Sequence, residues 1–188
     1  MNTGNLKKDK KNAKQQILNV ALEMFASQGY HKTSTGAICK EAGISTGLLF
    51  YHFSSKEILL NAIVKMILSK IDRTLDYPEN DDPKKVLSTI IDVFFNSLQN
   101  DRKYWDLYMS LLYQPDTKDQ IGKGVLEHSI KYRRTIFHLM ESLGSANPKG
   151  DSFEFEVFRV GVFASYLANH SEELLKKAKE KMRLKYLE

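Results

Sequence analysis

The sequence predicts an all-α protein in two parts, a small N-terminal head of short helices and a larger C-terminal helical body. Apolar residues recur at helical spacing over nearly the whole chain, which is typical of amphipathic helices. Glycine and proline divide this pattern into segments, most clearly at 77–83 and 144–150. No segment shows the alternation of apolar and polar residues that a half-buried strand requires.

The composition is that of a cytoplasmic protein. No apolar run reaches the roughly 18 residues that span a bilayer. The basic N-terminus has no apolar segment behind it, as a signal peptide would. A single cysteine, Cys39, excludes an internal disulfide and fits a reducing compartment. We therefore expect no membrane partner.

The net charge of +5 is unevenly distributed along the chain. Residues 1–72 contain ten lysines against five acidic residues, whereas residues 73–188 contain eighteen residues of each sign. All of the excess positive charge therefore lies in the N-terminal part. This asymmetry is consistent with a head that faces a polyanion, and also with a surface that is merely basic.

The first predicted helix follows a lysine-rich segment. Residues 1–12 are expected to form a flexible basic arm, and a helix with one apolar stripe comes after it. Gly29 is a suitable residue to end that helix. The stripe consists of Ile17, Val20, Ala21, Met24 and Phe25.

Two short helices complete a predicted domain at 13–57. The hydroxyl residues at 33–35 offer N-caps for the first, which ends near Gly43, and Ser45 can cap the second. A long helix followed by two short ones across a glycine turn describes a helix-turn-helix. A helical hairpin packed for purely structural reasons would have the same spacing.

A connecting helix and a linker separate this domain from the body. Ser54 and Glu57 form a predicted capping box, after which a helix should run to about Leu75. This connecting segment covers 58–76, and the proline-containing stretch 77–83 is the clearest linker.

The body, 83–188, is predicted to contain five further helices, and its role in ligand binding and dimerisation is what the family resemblance described below implies. Pro83 is a good first helical position behind Asp82, and Pro115 and the 144–150 stretch separate later helices. The predicted ranges are 83–100, 102–113, 118–143, 152–170 and 172–187.

The second short helix of the head is apolar on one side and polar on the other. In a helix-turn-helix this helix enters the major groove, with its N-terminal residues at the base edges. The small residues Ser45, Thr46 and Gly47 allow a close approach there. The predicted inner face comprises Ile38, Ala42, Leu49 and Phe53. The residues left facing outward are Thr46, Gly47, Leu48, Tyr51 and His52.

Three motifs identify a family. The first helix ends in Phe-x-x-x-Gly-Tyr, and Ile-x-x-x-Ala-Gly-Ile-Ser and Tyr-His-Phe-x-Ser-Lys-Glu-x-Leu follow it. They lie in the run "ILNVALEMFASQGYHKTSTGAICKEAGIS" and its continuation "TGLLFYHFSSKEILL". With these motifs, residues 13–60 resemble the N-terminal domain of the TetR family of transcriptional regulators, over about a quarter of the chain.

The resemblance implies double-stranded operator DNA as a partner. It makes Thr46 and Gly47 base-edge residues and places Gly36 near a base. Leu48 and Phe50 depart from the family pattern, since members often have hydroxyl residues at both positions, and Leu48 could instead touch a thymine methyl. The implied phosphate contacts are Ser34, Thr35, Tyr51, His52 and Lys56.

The helix predicted at 152–170 is apolar on nearly all sides, which favours a homodimer. Such a helix must be buried all round, and a second copy of the chain could cover it together with the helix at 172–187. The central helix of a monomeric bundle would show the same pattern. The expected interface residues are Phe155, Val157, Gly161, Ala164, Leu167, Ala168 and Leu175.

The body is also rich in aromatic residues, which is compatible with a pocket for a small apolar or amphipathic inducer. Aromatic residues at helical spacing are equally typical of plain core, so a regulator without an inducer remains the alternative. The candidate lining residues are Phe94, Trp105, Tyr108, Arg133, Phe137, His138, Phe158 and Arg159.

No residue pattern indicates an enzyme. His128, His138 and His170 have no cysteine or carboxylate at metal-ligand spacing that sets them apart from chance, and no glycine-rich phosphate loop occurs. We expect no metal and no cofactor. A helical adaptor that binds only protein is a further alternative, but it leaves the basic head unexplained. Together with the aromatic body, the family resemblance therefore implies a homodimeric DNA-binding repressor that a small ligand releases from its operator.

Overall fold

The computed structural model describes the backbone of residues 3–78 and 80–188, and within these ranges all side chains except those of residues 3–11 and 70. Over this part of the chain the regular structure is helical, and no strand occurs, which confirms the all-α prediction. The helices are α1 (Thr3–Gln28), α2 (Thr35–Glu41), α3 (Thr46–His52), α4 (Lys56–Asp72), α5 (Pro83–Asn100), α6 (Arg102–Tyr113), α7 (Pro115–Ser142), α8 (Pro148–Asn169) and α9 (Glu172–Leu187), with one 3-10 turn at Arg73–Leu75.

The helices of the body lie close to the ranges that the sequence predicts. Helices α5, α6 and α9 have the expected bounds, whereas α7 and α8 begin three and four residues earlier. The reason is that Pro115 and Pro148 are first helical residues rather than separators, because proline needs no N–H at that position. The Asn147 side chain accepts a hydrogen bond from the Gly150 N–H at 3.1 Å and so caps α8.

The N-terminal segment differs from the flexible arm expected over 1–12. From Thr3 onward its backbone continues helix α1, while Met1 and Asn2 lie outside the described residues. Lysine is a good helix former and no proline interrupts the segment, so helix can propagate from the stripe that begins at Ile17.

Helix α4 begins one residue later than the predicted capping box. Ser55, not Ser54, is the cap, since its hydroxyl accepts a hydrogen bond from the Ile58 N–H at 3.2 Å. Two adjacent serines are equivalent in a sequence pattern, and only the backbone conformation distinguishes them. The α-helix ends at Asp72, and a 3-10 turn then reaches Leu75.

The chain divides into two compact units. The first extends to Ile67 and also includes Asp106–Gly122, whereas the second consists of Leu68–Trp105 and Lys123–Glu188. This division differs from the predicted body at 83–188, because a segment from the middle of that range joins the first unit. Helical periodicity carries no information about which distant segment a helix contacts.

The core of the first unit lies between α1, α2 and α3 and the first part of α4. Ile17, Ala21 and Phe25, from the predicted stripe of α1, are buried there with apolar residues of the other helices. Burial of each large apolar side chain stabilises the unit by about 1.5–3 kcal/mol.

In the second unit, α9 packs against α5 and α8. Leu175 and Met182 of α9 are buried. The Asp92 carboxylate of α5 forms ion pairs with two other residues of α9, Lys179 at 2.8 Å and Arg183 at 3.3 Å. Because partly exposed ion pairs contribute little, apolar burial holds these helices together. None of the described helices is long and apolar enough to cross a membrane.

Candidate nucleic-acid interface

Helices α2 and α3 form a helix-turn-helix whose turn is fixed by glycine. Gly43 has a φ of 62°, and its N–H donates to the Lys40 carbonyl at 3.2 Å. The next N–H, of Ile44, reaches back to the Cys39 carbonyl at 3.0 Å. These two hydrogen bonds satisfy carbonyl groups at the C-terminal end of α2. This pattern of hydrogen bonds favours glycine just after the end of a helix. The angle between the two helices is thereby set by the backbone itself.

The inner face of the motif is buried as predicted. The four residues expected there are almost fully excluded from solvent, and Cys39 beside them is a small buried residue. The Gln16 side chain of α1 donates a 2.8 Å hydrogen bond to the Ala42 carbonyl and so joins the long helix to the turn. The four residues are Ile38, Ala42, Leu49 and Phe53.

The outer face leaves the predicted contact residues accessible to different extents. Tyr51 is 65% exposed, and Phe50 beside it is 43% exposed, so an aromatic surface adjoins the polar end of α3. The remaining fully exposed candidates are Ser34, Gly36, Ser45, Thr46 and Gly47. The half-buried candidates are Thr35, Leu48, His52 and Lys56.

Two of the candidate DNA-binding residues also cap helices. The Ser34 hydroxyl accepts a hydrogen bond from the Ala37 N–H at 3.1 Å, and the Ser45 hydroxyl accepts one from the Leu48 N–H at 3.2 Å. A hydroxyl that accepts in a cap keeps its own hydrogen, which it can donate to an anion. Both serines can therefore hold a helix end in place and contact a phosphate at the same time.

The glycines of the two short helices have open space around them. A Cβ atom at Gly36 or Gly47 would approach nothing nearer than a serine hydroxyl, at 3.9 and 4.0 Å respectively. The fold itself therefore does not require glycine at these positions. Glycine within a helix costs about 0.5–1 kcal/mol relative to alanine, so glycine does not stabilise the helices at these two positions.

Lys56 does not extend freely from the first turn of α4. Its ammonium lies over the Tyr30 ring, 4.2 Å from the centroid, and 5.9 Å from that of Phe25. Burial lowers the pKa of Lys56, an effect that the nearby Glu57 carboxylate opposes. The two rings hold the cation at a fixed place on the surface. The sequence pattern gave no sign of this packing.

His52 is less available than the sequence suggests. Its ring lies edge-on to that of Tyr51, with centroids 5.0 Å apart, and its buried Nε2 has no hydrogen-bond partner within the described part of the chain. The ring therefore supports the Tyr51 side chain, and a phosphate contact through Nε2 requires the ring to turn outward.

His31 is a functional candidate that sequence reasoning missed. Its Nε2 lies 3.0 Å from Gln114 Oε1 and 3.2 Å from Asp116 Oδ2, both within the first unit. The neighbouring Tyr30 has its pKa raised to about 12, chiefly by burial and then by the charges of Glu57 and Asp116. These contacts attach the Asp106–Gly122 segment to the helices of the first unit, and no local signal could reveal a pair 83 residues apart.

The candidate pocket residues of the body differ in burial and do not all belong to the same unit. Phe94, Trp105 and Tyr108 are buried, and Tyr108 belongs to the first unit while the others belong to the second. Phe137, Phe158 and Arg159 are half-buried. The two exposed members are Arg133, 3.9 Å from Glu156, and His138, 3.0 Å from Glu141.

Two of the candidate dimer residues are buried within the chain. Phe155 is 1% exposed and stacks against Tyr186, and Leu175 is 2% exposed. Their own chain covers both side chains, so neither presents a surface to a partner in this arrangement. Periodicity cannot tell which stripe of an all-round apolar helix faces its own chain. The other five, Val157, Gly161, Ala164, Leu167 and Ala168, are exposed or half-buried.

The side chains that the structure describes include no group of three or more histidine, cysteine or acidic residues that could hold a metal ion. His128, for example, contacts a single carboxylate: its Nδ1 lies 2.6 Å from Asp72 Oδ1.

Comparison with known proteins agrees with this geometry. Residues 17–63 match the family of bacterial regulatory proteins described as the tetR family. The HTH-type transcriptional regulator UidR of Escherichia coli is 43% identical over 60 residues, which are 32% of this chain and 31% of UidR. The match thus spans about a third of the length of that relative.

Solved structures share the whole fold. A TetR transcription regulator from Haloarcula marismortui has a TM-score of 0.79 at 15% identity, over 94% of this chain and 97% of its own. The SmeT chain of a complex with triclosan has a TM-score of 0.76 at 19% identity, over 94% of this chain and 92% of its own. The N-terminal match carries the resemblance: residues 17–63 are similar to the tetR family of bacterial regulatory proteins.

Proposed function

We propose that this chain is a DNA-binding transcriptional regulator, which acts as a homodimeric repressor and leaves its operator when a small ligand binds. The DNA-binding part rests on one observation, the exposed N-terminal end of α3. There Ser45, Thr46 and Gly47 present a small polar surface on two short helices that are capped at their ends. Reading base edges in a major groove requires a small helix end that is rigidly held.

Groups suited to phosphate surround this helix end. The Tyr51 phenol is exposed, the Ser34 hydroxyl has a free hydrogen, and Lys56 is held on the Tyr30 ring. Contacts of this kind fix the register of a protein on DNA without reading sequence. The match of residues 17–63 to the tetR family covers this region, and the 43% identity over 60 residues with UidR, which is described as an HTH-type transcriptional regulator, also supports the proposal.

The dimer is supported by an apolar stripe on the exposed side of α8. Phe153, Val157 and Val160 are 69%, 53% and 48% exposed in the single chain, and Gly161 and Ala164 follow on the same side. Exposed apolar residues that form one continuous patch mark an interaction surface more often than scattered ones do. A second copy of α8 is the simplest cover, since a two-fold axis brings the same stripe from each chain together.

The ligand is supported less directly. SmeT, which shares the fold, was solved in a complex with triclosan, a precedent for a small apolar molecule within this fold. A ligand can act as an inducer only if it prefers the arrangement of the dimer that fits DNA poorly, and each tenfold loss of operator affinity takes about 1.4 kcal/mol of that preference. The alternative within the same class is a regulator that responds to no small molecule.

A gel-shift assay on genomic fragments tests the DNA-binding proposal. We expect a subset of fragments to bind with strong salt dependence. Tyr51→Phe should weaken that binding several-fold, because it removes a hydroxyl from the proposed phosphate surface. Tyr113→Phe is the matched control, since Tyr113 is also exposed, at 77%, but lies at the end of α6.

If no fragment binds even at low salt, the DNA-binding proposal fails and the protein-binding adaptor becomes the better explanation. Equal effects of the two tyrosine substitutions would instead move the DNA surface away from α3.

A further inference from the structure

The second unit contains an arginine, Arg159, that forms no ion pair with any carboxylate the structure describes. The Arg159 guanidinium of α8 lies 4.2 Å from the ring centroid of Tyr132 and 5.6 Å from that of Phe94. Among the described residues no acidic oxygen lies within ion-pair distance of it. Glu156, three residues earlier on the same helix, instead lies 3.9 Å from Arg133.

This arrangement is costly without a ligand. The Nε of Arg159 is buried and has no hydrogen-bond partner within the described part of the chain, although the residue as a whole is only half-buried. A buried charged donor without an acceptor loses its hydration and gains nothing in return. Stacking on aromatic rings offsets part of this loss and leaves the edges of the guanidinium plane open to an anion.

A second unpaired group lies beside the first. Tyr132 is 1% exposed, and its hydroxyl is also buried without a partner of normal hydrogen-bond geometry. Burial raises the pKa of Tyr132 to about 12, although the Arg159 charge acts in the opposite direction. The phenol therefore keeps its proton at neutral pH and can donate a hydrogen bond.

The nearby His128 and Asp72 side chains contact each other, and they provide no free carboxylate for Arg159. The Nδ1 of His128 lies 2.6 Å from Asp72 Oδ1, so the Asp72 carboxylate is already engaged. Burial lowers the pKa of His128, an effect that the Asp72 contact opposes and the Arg159 charge reinforces. The other cation beside His128, Lys131, is paired with Asp76 at 2.7 Å, so Arg159 is the cation of this cluster that has no carboxylate partner among the described residues.

We propose that Arg159 and Tyr132 receive the oxyanion of an amphipathic ligand whose apolar part packs among the aromatic residues of the second unit. This inference rests on the proposed function, because it names the chemical class of the ligand to which the regulator responds. A guanidinium binds a carboxylate or phosphate oxygen through charge-assisted hydrogen bonds. The apolar surroundings are provided by Phe94 and by the Trp105–Phe163 pair, whose centroids are 5.4 Å apart.

The test is calorimetric titration of the intact protein, without DNA, with three amphiphiles that have the same ten-carbon chain. The probes are decanoate, decanol and decyltrimethylammonium. We expect decanoate to bind at least tenfold more tightly than the other two, because only it has an oxyanion. Arg159→Gln should weaken decanoate binding at least tenfold, and Arg159→Lys should weaken it less, since lysine keeps the charge but loses the planar fork.

Arg134→Gln is the matched control, because Arg134 is an exposed arginine on α7 and its removal makes the same change in net charge. It should leave decanoate binding unchanged. Thermal melting of each variant shows whether it folds.

Tyr132→Phe separates ligand recognition from a structural role. Removing a buried hydroxyl that lacks a partner should raise the melting temperature of the free protein and at the same time weaken decanoate binding several-fold. A variant that is merely damaged would melt lower and bind worse.

The proposal is wrong if decanoate does not bind, if decanol or the cation binds as tightly, or if Arg159→Gln binds decanoate as well as the unaltered protein does. None of these outcomes touches DNA binding, which the gel-shift assay measures separately. Loss of DNA binding with decanoate binding intact would in turn overturn the proposed function and leave this site standing.

Discussion

Helices α3 and α8 each present an uncovered face, and the two faces differ in chemistry. On α3 the exposed residues are small and polar around Gly47, whereas on α8 they are large and apolar around Gly161. Both glycines lie within a helix and have open space where a Cβ would stand. Glycine lowers helix stability at both positions, which points to a surface outside the chain that comes close.

The chemistry of each face indicates the kind of partner. Exposed hydroxyls such as that of Thr46 are well solvated by water, so the α3 face is stable without a bound partner. It can therefore bind a polyanion reversibly. Phe153 and Val157 on α8 lose free energy for as long as water touches them. The α3 face is therefore suited to a reversible contact, and the α8 face to a lasting one.

The largest expected effect is on the α8 face. Ala164→Glu would place an unpaired charge in the proposed dimer interface, at a cost of about 3–5 kcal/mol, so the dimer constant should weaken more than a hundredfold. Sedimentation equilibrium would show monomers at micromolar concentration. Ala146→Glu, at an exposed position in the turn before α8, is the control for the substitution itself and should remain dimeric. An unchanged Ala164→Glu dimer would move the interface elsewhere.

The next effect is on the α3 face. Gly47→Ala should stabilise the free protein by about 0.5–1 kcal/mol, since alanine is the better helix residue. It should nevertheless weaken operator binding by about one to two orders of magnitude, because the added methyl lies where base edges approach. Chemical denaturation and gel shifts measure the two quantities on the same sample.

Gly124→Ala provides the comparison, because Gly124 is also within a helix and has open space around it, in the second unit. It should stabilise the protein and leave DNA binding as it was. If Gly47→Ala binds DNA normally, then the close approach proposed for the N-terminal end of α3 does not occur.

A smaller effect concerns the lysines that precede the described side chains of α1. Replacing Lys7, Lys8, Lys10 and Lys11 with glutamine should weaken binding to all sequences alike. The slope of log affinity against log salt should fall by about 0.9 for each phosphate that the protein no longer neutralises. Fluorescence anisotropy over a salt series gives the slope. An unaltered slope would restrict the polyanion surface to the helix-turn-helix itself.

The smallest expected effect is a pH dependence of folding stability that arises in the second unit. His128 of the second unit has a pKa lowered by burial, so the unfolded chain binds its proton more readily than the folded chain does. Stability is therefore complete above the ordinary pKa of about 6.5 and falls as the pH decreases below it, by about 1.4 kcal/mol for each unit of pKa difference.

In His128→Asn the amide can keep the hydrogen bond to Asp72 but cannot titrate. Its unfolding free energy should depend less on pH between 7.5 and 5 than that of the unaltered protein. An identical pH dependence in both proteins would assign the titration to other groups.

Local signals in the sequence were sufficient for the helices and for the outer face of the head. Prolines and caps such as Asn147 act within a few residues, and the motif around Ser45 and Tyr51 is contiguous. Several features that escaped prediction depend on contacts between distant residues. Examples are the burial of Phe155 against Tyr186 and the contact between His31 and Gln114, neither of which changes the local spacing of apolar residues.

The assignment of Asp106–Gly122 to the first unit has a practical consequence for protein engineering. A biosensor is commonly built by joining the body of one regulator to the head of another at a single point in the chain. Here a junction after Ile67 would give the new head a foreign Asp106–Gly122 segment and leave Gln114 without His31. A functional chimera of this chain therefore needs two exchanged segments, with the partner for His31 transplanted together with the head that carries it.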